Sequence, residues 1–167
     1  MAKAQRDKSV GTPATVALTK AGITFTSHTY DHDPAAASYG EEAAHALGFA
    51  PAQVFKTLLA DVDGTLVVAV VPVTGKVDLK ALAAAVGGKR GAMADPAIAE
   101  RTTGYVRGGI SPIGQRKKLR TVVDESASGL DAMYVSGGRR GFDIGLAPAD
   151  LIRLAEATTA AIATPST

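Results

Sequence analysis

The stretch from Gly104 to Gly114, GYVRGGISPIG, sets the strongest local constraint on this chain. Its eleven residues include four glycines, one proline and one serine, and no acid. Such a stretch cannot form a regular helix or a central strand. Its backbone is bent and sparsely covered, so its amide groups can come close to a ligand. Arg101 and Arg116 flank it, which suits an anionic partner. The rest of the chain must supply a framework on which this Gly-rich, basic loop is displayed.

A length of 167 residues fits one domain with a full core. Aromatics make up only 5%, with no Trp, so that core has to be built mainly from Ala, Val, Leu and Ile. Four Tyr and four Phe leave little for a stacking platform on single-stranded nucleic acid. The chain has no cysteine, which excludes disulfides, thiolate metal sites and a protein Cys nucleophile. The apolar run Thr65 to Val73 is too short to span a membrane, and MAKAQRDKSVG lacks the apolar stretch of a signal peptide, so the cytoplasm is the expected location. Net charge is only +2 but unevenly spread: Arg101 to Arg120 holds six Lys or Arg and no acid, four of them in RKKLR (Arg116 to Arg120). A solvated face and a footprint for phosphates are both open readings of that patch.

Local signals divide the chain readily. Residues 1–11 read as a polar tail. Thr12-Pro13 starts a helix that ends at Gly22. Ile23 to Tyr30 alternates like a strand. Asp31 to Ala37 is a loop around Pro34, and Ser38 with Glu41 has capping-box spacing for a helix running to Gly48. Val54 to Val73 is two apolar runs split at Asp61-Val62-Asp63-Gly64, a hairpin signature. Asp78 caps a helix over Leu79 to Val86, and Asp95-Pro96 opens another that ends near Gly104. Thr121 to Asp124, Ala132 to Ser136 and Phe142 to Leu146 are short strands, and Pro148 opens a last helix. Residues 158–167 are Ala/Thr-rich and expected to be loose. Helices and strands mix without strict alternation, which argues an α+β domain over 12–157 with a mixed or mainly antiparallel sheet.

Three motifs suggest other chemistries. Asp61 to Leu66, DVDGTL, matches the DxDGT signature of haloacid-dehalogenase-type phosphatases. That chemistry needs a following helix and a later acid pair for magnesium, whereas a β-rich run follows here, so the turn reading is preferred. His28 and His32, with Asp31 and Asp33, straddle a strand end and a loop and do not have the one-face geometry of helical metal ligands; no metal is expected. His45 reads as a helix-face residue. Ser111 and Ser136 lack the flanks of a nucleophile elbow. Lys56 interrupts the apolar run Val54 to Ala60 on the face shared by Val54 and Leu58. It is either an edge-strand Lys that opposes aggregation or a functional group.

VFKTLL (Val54 to Leu59), the Gly-rich loop and VSGGRRGFDI (Val135 to Ile144), in that order and spacing, resemble the YbaK/EbsC family. Its members are free-standing relatives of the editing insert of prolyl-tRNA synthetase. The resemblance runs from about Thr12 to Ala155. It implies a compact, partly closed sheet flanked by helices, and a trans-editing deacylase that removes Cys mischarged onto tRNA(Pro). It also implies that the substrate's own thiol attacks its ester carbonyl, with no cofactor. Some relatives instead remove Ala with activated water; their inserts tend to carry a His where this chain has VSGGRRG, which favours Cys. A tRNA- or synthetase-binding module without catalysis is the alternative of another class. The partners implied are mischarged tRNA(Pro) and, transiently, prolyl-tRNA synthetase, with no membrane.

The resemblance also assigns residues. Lys56 holds the terminal ribose-phosphate or the aminoacyl group. Gly108 and Gly109 offer backbone N–H groups as an oxyanion hole. Ser136 hydrogen-bonds the substrate, and Asp143 pairs with Lys56 or binds the substrate amine. Tyr30, Tyr39, Thr57, Ile110, Ser111 and Pro112 border the substrate. Tyr39 stands where relatives often carry Phe, and Arg107 replaces a Pro that commonly precedes the Gly pair. Arg107, Arg116, Lys117, Lys118, Arg139 and Arg140 are the expected tRNA contacts.

Overall fold

The computed structural model describes residues 11–33 and 39–165. Ten strands and five α-helices are found among them. Their starts follow local chemistry. In α1 (Pro13–Lys20) the Thr12 hydroxyl accepts the Thr15 N–H at 3.2 Å and the Thr15 hydroxyl accepts the Thr12 N–H at 2.9 Å, closing a capping box. The Asp78 carboxylate accepts from Ala81 at the head of α3 (Leu79–Ala85), and Asp95 accepts from Ala97 at the head of α4 (Pro96–Thr103). Gly104, at φ 83°, terminates α4 in the left-handed region. The second helix, α2, spans Tyr39–Leu47. Its expected cap at Ser38, like the loop around Pro34, lies outside the described residues.

The hairpin of β2 (Phe55–Val62) and β3 (Thr65–Pro72) turns on two residues, Asp63 and Gly64, both at positive φ. This is the turn whose twist matches the flanking strands. It organises a five-stranded mixed sheet in the order β5-β2-β3-β6-β9. Here β5 is Gly91–Met93, β6 is Arg120–Asp124 and β9 is Thr158–Ala160. The pairings β3–β6 and β6–β9 are parallel, and the others in that sheet antiparallel. A second, antiparallel sheet runs β1-β8-β7, with β1 at Thr26–Thr29, β7 at Met133–Arg139 and β8 at Phe142–Leu146. Helix α5 (Pro148–Leu154) follows β8. The largest core cluster joins residues of both sheets with α1 and α5, including Leu18, Val68, Val70, Ile144 and Leu151. The sheets meet at an isolated Val54–Tyr134 bridge, and among the described residues no barrel closes.

The C-terminal segment differs from expectation. Residues expected to be loose form β9 against β6, and β10 (Ala163–Pro165) against β4 (Gly75–Val77). Ile162 between them is fully buried, and the Asp124 carboxylate accepts the N–H groups of Ile162 and Ala163 at 3.0 and 3.1 Å. Each strand is three residues long, and its partner lies far away in sequence, so no local pattern announces either.

Candidate active site

A cavity of about 500 Å³ lies between β2 on one side and β7 and β8 on the other. Lys56, Thr57, Ser136, Asp143, Tyr30 and Tyr39 line it, with Arg107, Gly108 and Ile110 of the Gly-rich loop. A sequence span of more than a hundred residues is thus gathered around one space.

Lys56 is half-buried, and among the described residues its ammonium makes no ion pair. Desolvation lowers its pKa, with Lys76 adding to the effect and Glu41 opposing it. Asp143 is 6% exposed, and burial pushes its carboxyl up to about 7. No ion pair joins it to Lys56, so the expected pairing of the two is not formed. Burial, then the nearby Asp143 and Glu42, drive the Tyr30 pKa upward, which keeps its phenol protonated. Asp143 sits opposite Ser136 across β7–β8, which places both side chains on one face. The register then breaks at Gly137-Gly138 before resuming at Arg139 opposite Phe142. This bulge lets the Gly138 N–H donate to Ser136 Oγ at 3.2 Å and the Thr12 hydroxyl donate to the Gly137 carbonyl at 2.6 Å.

The two loop glycines have separate reasons to be glycine. Gly108 lies at φ 83°, and a Cβ there would stand 2.6 Å from the Tyr39 ring. Its N–H makes no hydrogen bond among the described residues. A Cβ on Gly109 would stand 2.7 Å from the Arg139 backbone, and its own N–H donates to the Val106 carbonyl at 2.8 Å. Gly109 therefore packs the loop against the β7–β8 turn, and its amide is already spent. This corrects the expectation that both glycines act as donors.

Ser111 and Pro112 do not reach the cavity either. Ser111 is fully buried, with its Oγ accepting the Ile113 N–H at 3.3 Å. Pro112 borders a separate cleft near Lys118 and Leu154. The basic residues split as well. The Arg140 Nε donates to the Arg107 carbonyl at 2.7 Å, and its guanidinium lies 5.2 Å from the Tyr39 ring centroid, with His32 stacked on that ring. Arg107 and Arg140 thus stand beside the cavity, with Arg139 next in chain. Arg116 packs beside Gly104, Lys117 donates its backbone N–H to Thr102, and Lys118 pairs with Glu156. None of these three lines the cavity. Sequence reasoning missed Gly40, Ala43, Met93, Ala94, Pro96 and Ala99 in the wall. Asp95-Pro96 signalled a helix start, but nothing local said that this start faces Lys56.

The competing motifs have structural roles. Asp61 accepts the Gly64 N–H at 2.7 Å, while Asp63 accepts those of Lys89 and Arg90 at 2.8 and 3.0 Å, so both acids fasten the hairpin tip. His28 Nε2 contacts the Thr26 hydroxyl at 2.7 Å, and His32 Nδ1 contacts Glu42 at 2.9 Å. Among the described residues no three His, Cys, Asp or Glu side chains gather as metal ligands.

Residues 33–154 match the aminoacyl-tRNA editing domain family. The chain belongs to that family. Among curated relatives, this editing domain is 42% identical over 125 residues to EbsC of Enterococcus faecalis, covering 74% of this chain and 76% of the relative. EbsC carries the name of a candidate Cys-tRNA(Pro)/Cys-tRNA(Cys) deacylase. Two solved structures share the fold. The hypothetical protein APE2540 superposes with a TM-score of 0.82 at 21% identity, covering 92% of this chain and all of the other. A candidate trans-editing enzyme for prolyl-tRNA synthetase gives 0.77 at 24% identity, covering 91% and 95%. The cavity of this editing domain lies within the matched residues apart from Tyr30. No helix among the described residues is long and apolar enough to cross a membrane.

Proposed function

We propose that this editing domain hydrolyses Cys mischarged onto tRNA(Pro), using the substrate's own thiol as nucleophile. One observation favours the thiol route: among the described residues the cavity, lined mostly by apolar side chains, holds neither a Cys nor a His to serve as nucleophile or base. The chain has no Cys, no described His lines the cavity, and the one described serine that does, Ser136, accepts from Gly138 and faces Asp143, with no His to activate it. A site so equipped orients and stabilises but takes its nucleophile from the substrate or from water, and the Cys-specific name of the 42% identical relative favours the substrate's thiol. In the proposed step the cysteinyl sulfur bonds to the ester carbonyl carbon, the carbon–oxygen bond to the ribose breaks, and the thiol proton passes to the released ribose oxygen. Water then opens the resulting thiolactone.

Lys56 draws in the anionic tRNA end, and the unspent Gly108 N–H faces the developing oxyanion. Asp143, poised near neutrality, relays the thiol proton. Arg107, Arg139 and Arg140 border the path of the acceptor stem. The limited basic patch supports weak tRNA binding of its own, with selection for tRNA(Pro) supplied by a transient complex with prolyl-tRNA synthetase. The name of the 42% identical relative supports Cys as the aminoacyl group. Such a second hydrolytic site is needed because a pocket that accepts Pro cannot strongly reject a residue of similar size.

A substrate series tests the borrowed nucleophile. Ser-tRNA(Pro) differs from Cys-tRNA(Pro) in one atom and lacks the thiol. The proposal expects rapid loss of Cys and little acceleration for Ser. Comparable turnover of both would overturn it and favour the second reading, removal of Ala by water, in which Asp143 serves as the general base.

A further inference from the structure

The outward edge of β2 has a gap one residue long, and it opens into the cavity. Val62 and Thr65 flank the two-residue turn, a position where paired residues exchange both backbone hydrogen bonds. Counting back from there, residues 60, 58 and 56 face β3, while 61, 59, 57 and 55 turn their N–H and C=O outward. The neighbours agree with this phase. The outward Leu59 carbonyl accepts the Ala94 N–H at 3.0 Å, and the inward Val54 carbonyl accepts the Val73 N–H at 2.8 Å. Strand β5 covers only residues 60–62 of this edge, and the Val54–Tyr134 bridge occupies the edge beside Phe55. Thr57 alone is left between them. No described strand pairs with its outward N–H and C=O, since pairing with β5 stops at Ala60 and the bridge to β7 lies at Val54. Its Oγ1 is the only buried side-chain polar atom among the described residues without a hydrogen bond. An unmet hydroxyl beside an uncovered stretch of strand edge in a cavity wall is costly unless a ligand meets it.

We infer that Thr57 is the docking point for the aminoacyl group, which completes the strand edge as a one-residue β-partner. An aminoacyl ester carries an amine and a carbonyl on adjacent carbons, in the order in which a strand residue presents N–H and C=O. The α-ammonium donates to the Thr57 carbonyl and Oγ1, and the ester carbonyl accepts the Thr57 N–H, leaving its second lone pair for Gly108. This is strand addition shortened to one residue. It makes the site selective for α-amino esters through main-chain chemistry, independently of the amino acid side chain. The inference rests on the proposed deacylase reading, because it takes the ligand to be an aminoacyl-tRNA end.

Binding, not turnover, provides the test. Two non-hydrolysable amides of 3′-amino-3′-deoxyadenosine are titrated by calorimetry, one carrying cysteine and the other 3-mercaptopropionate, which lacks only the α-amine. Each hydrogen bond to the ammonium is worth about 10-fold in affinity. Wild type is expected to bind the amine-free amide about 100-fold more weakly, and Thr57→Val only about 10-fold more weakly. Thr57→Val should bind the amine-free amide as wild type does. Its thermal midpoint should rise, because an unpartnered buried hydroxyl is removed at constant shape. Equal affinity of wild type for the two amides, an equal loss on both from Thr57→Val, or no binding of either would overturn the docking point. Deacylation without amine dependence would sink this inference alone. Amine-dependent binding without any deacylation would sink the deacylase reading alone.

Discussion

Asp143 is a carboxylate buried where its charge is disfavoured, with no ion pair among the described residues. Its ordinary pKa of 3.8 is pushed up to about 7 by desolvation. Between those values the folded chain keeps a proton that the unfolded chain has lost. Wild-type stability therefore falls as pH rises from about 4 to about 7 and levels off above. Asp143→Asn removes that slope. It should be more stable than wild type at pH 8, by at most about 4 kcal/mol, and equal to it near pH 3. Urea titrations at several pH values would show this, and parallel curves for both proteins would refute the buried charge. The same substitution should cut deacylation sharply, the pattern of a residue kept for chemistry at the expense of stability. At this scale the sequence was informative where a residue broke its local rule. Lys56, a Lys inside an apolar run, stood out and lines the cavity, whereas Asp143 was reached only through the family match. The role of Thr57 was legible only as a family match, because Thr is an ordinary strand residue and its unmet groups depend on which strands stop short of it.

Among the elements, the Gly-rich loop couples the cavity to the β7–β8 turn. Gly108 carries the free amide, and Gly109 makes the close approach to Arg139 and Arg140. Gly109→Ala should force the two backbones apart, lowering the thermal midpoint and activity together, at a cost of about 1–3 kcal/mol. Gly108→Ala strains φ and displaces the Tyr39 ring, and should lower activity more than its own loss of stability explains. If Gly109→Ala left both midpoint and turnover unchanged, the loop would not be packed as described. Element starts were largely legible because Thr12, Asp78, Asp95 and the Asp63-Gly64 turn act on residues within one turn of themselves. The placement of Ser111 and Pro112 was not, since the chain after Ile110 packs against α1 at Gly114 and is held by the Tyr105 hydroxyl, which donates to the Ile113 carbonyl at 2.6 Å.

Across the whole molecule, the C-terminal segment ties the mixed sheet together while staying out of the site. Deleting residues 158–167 removes β9, β10 and the fully buried Ile162, and takes from the Asp124 carboxylate two of its three backbone donors, leaving Ser126. The truncated chain should lose about 3 kcal/mol or more of stability. No described residue of the segment lines the cavity, so its folded fraction should keep wild-type turnover. A truncation as stable as wild type would return this segment to the loose tail that its Ala/Thr composition suggested. The fold class was legible because caps, hairpin and family motifs agreed. The tail was not, because three-residue strands gain their stability from distant partners.

The most direct test of the central claim is deacylation of Cys-tRNA(Pro) and Ala-tRNA(Pro) by wild type and Lys56→Ala, with thermal midpoints measured alongside. The account predicts rapid loss of Cys, little loss of Ala, and near-abolition by the substitution in a protein at least as stable as wild type, since a desolvated ammonium has been removed. Near-normal turnover by Lys56→Ala would contradict the site, and no deacylation of either substrate by wild type would contradict the function.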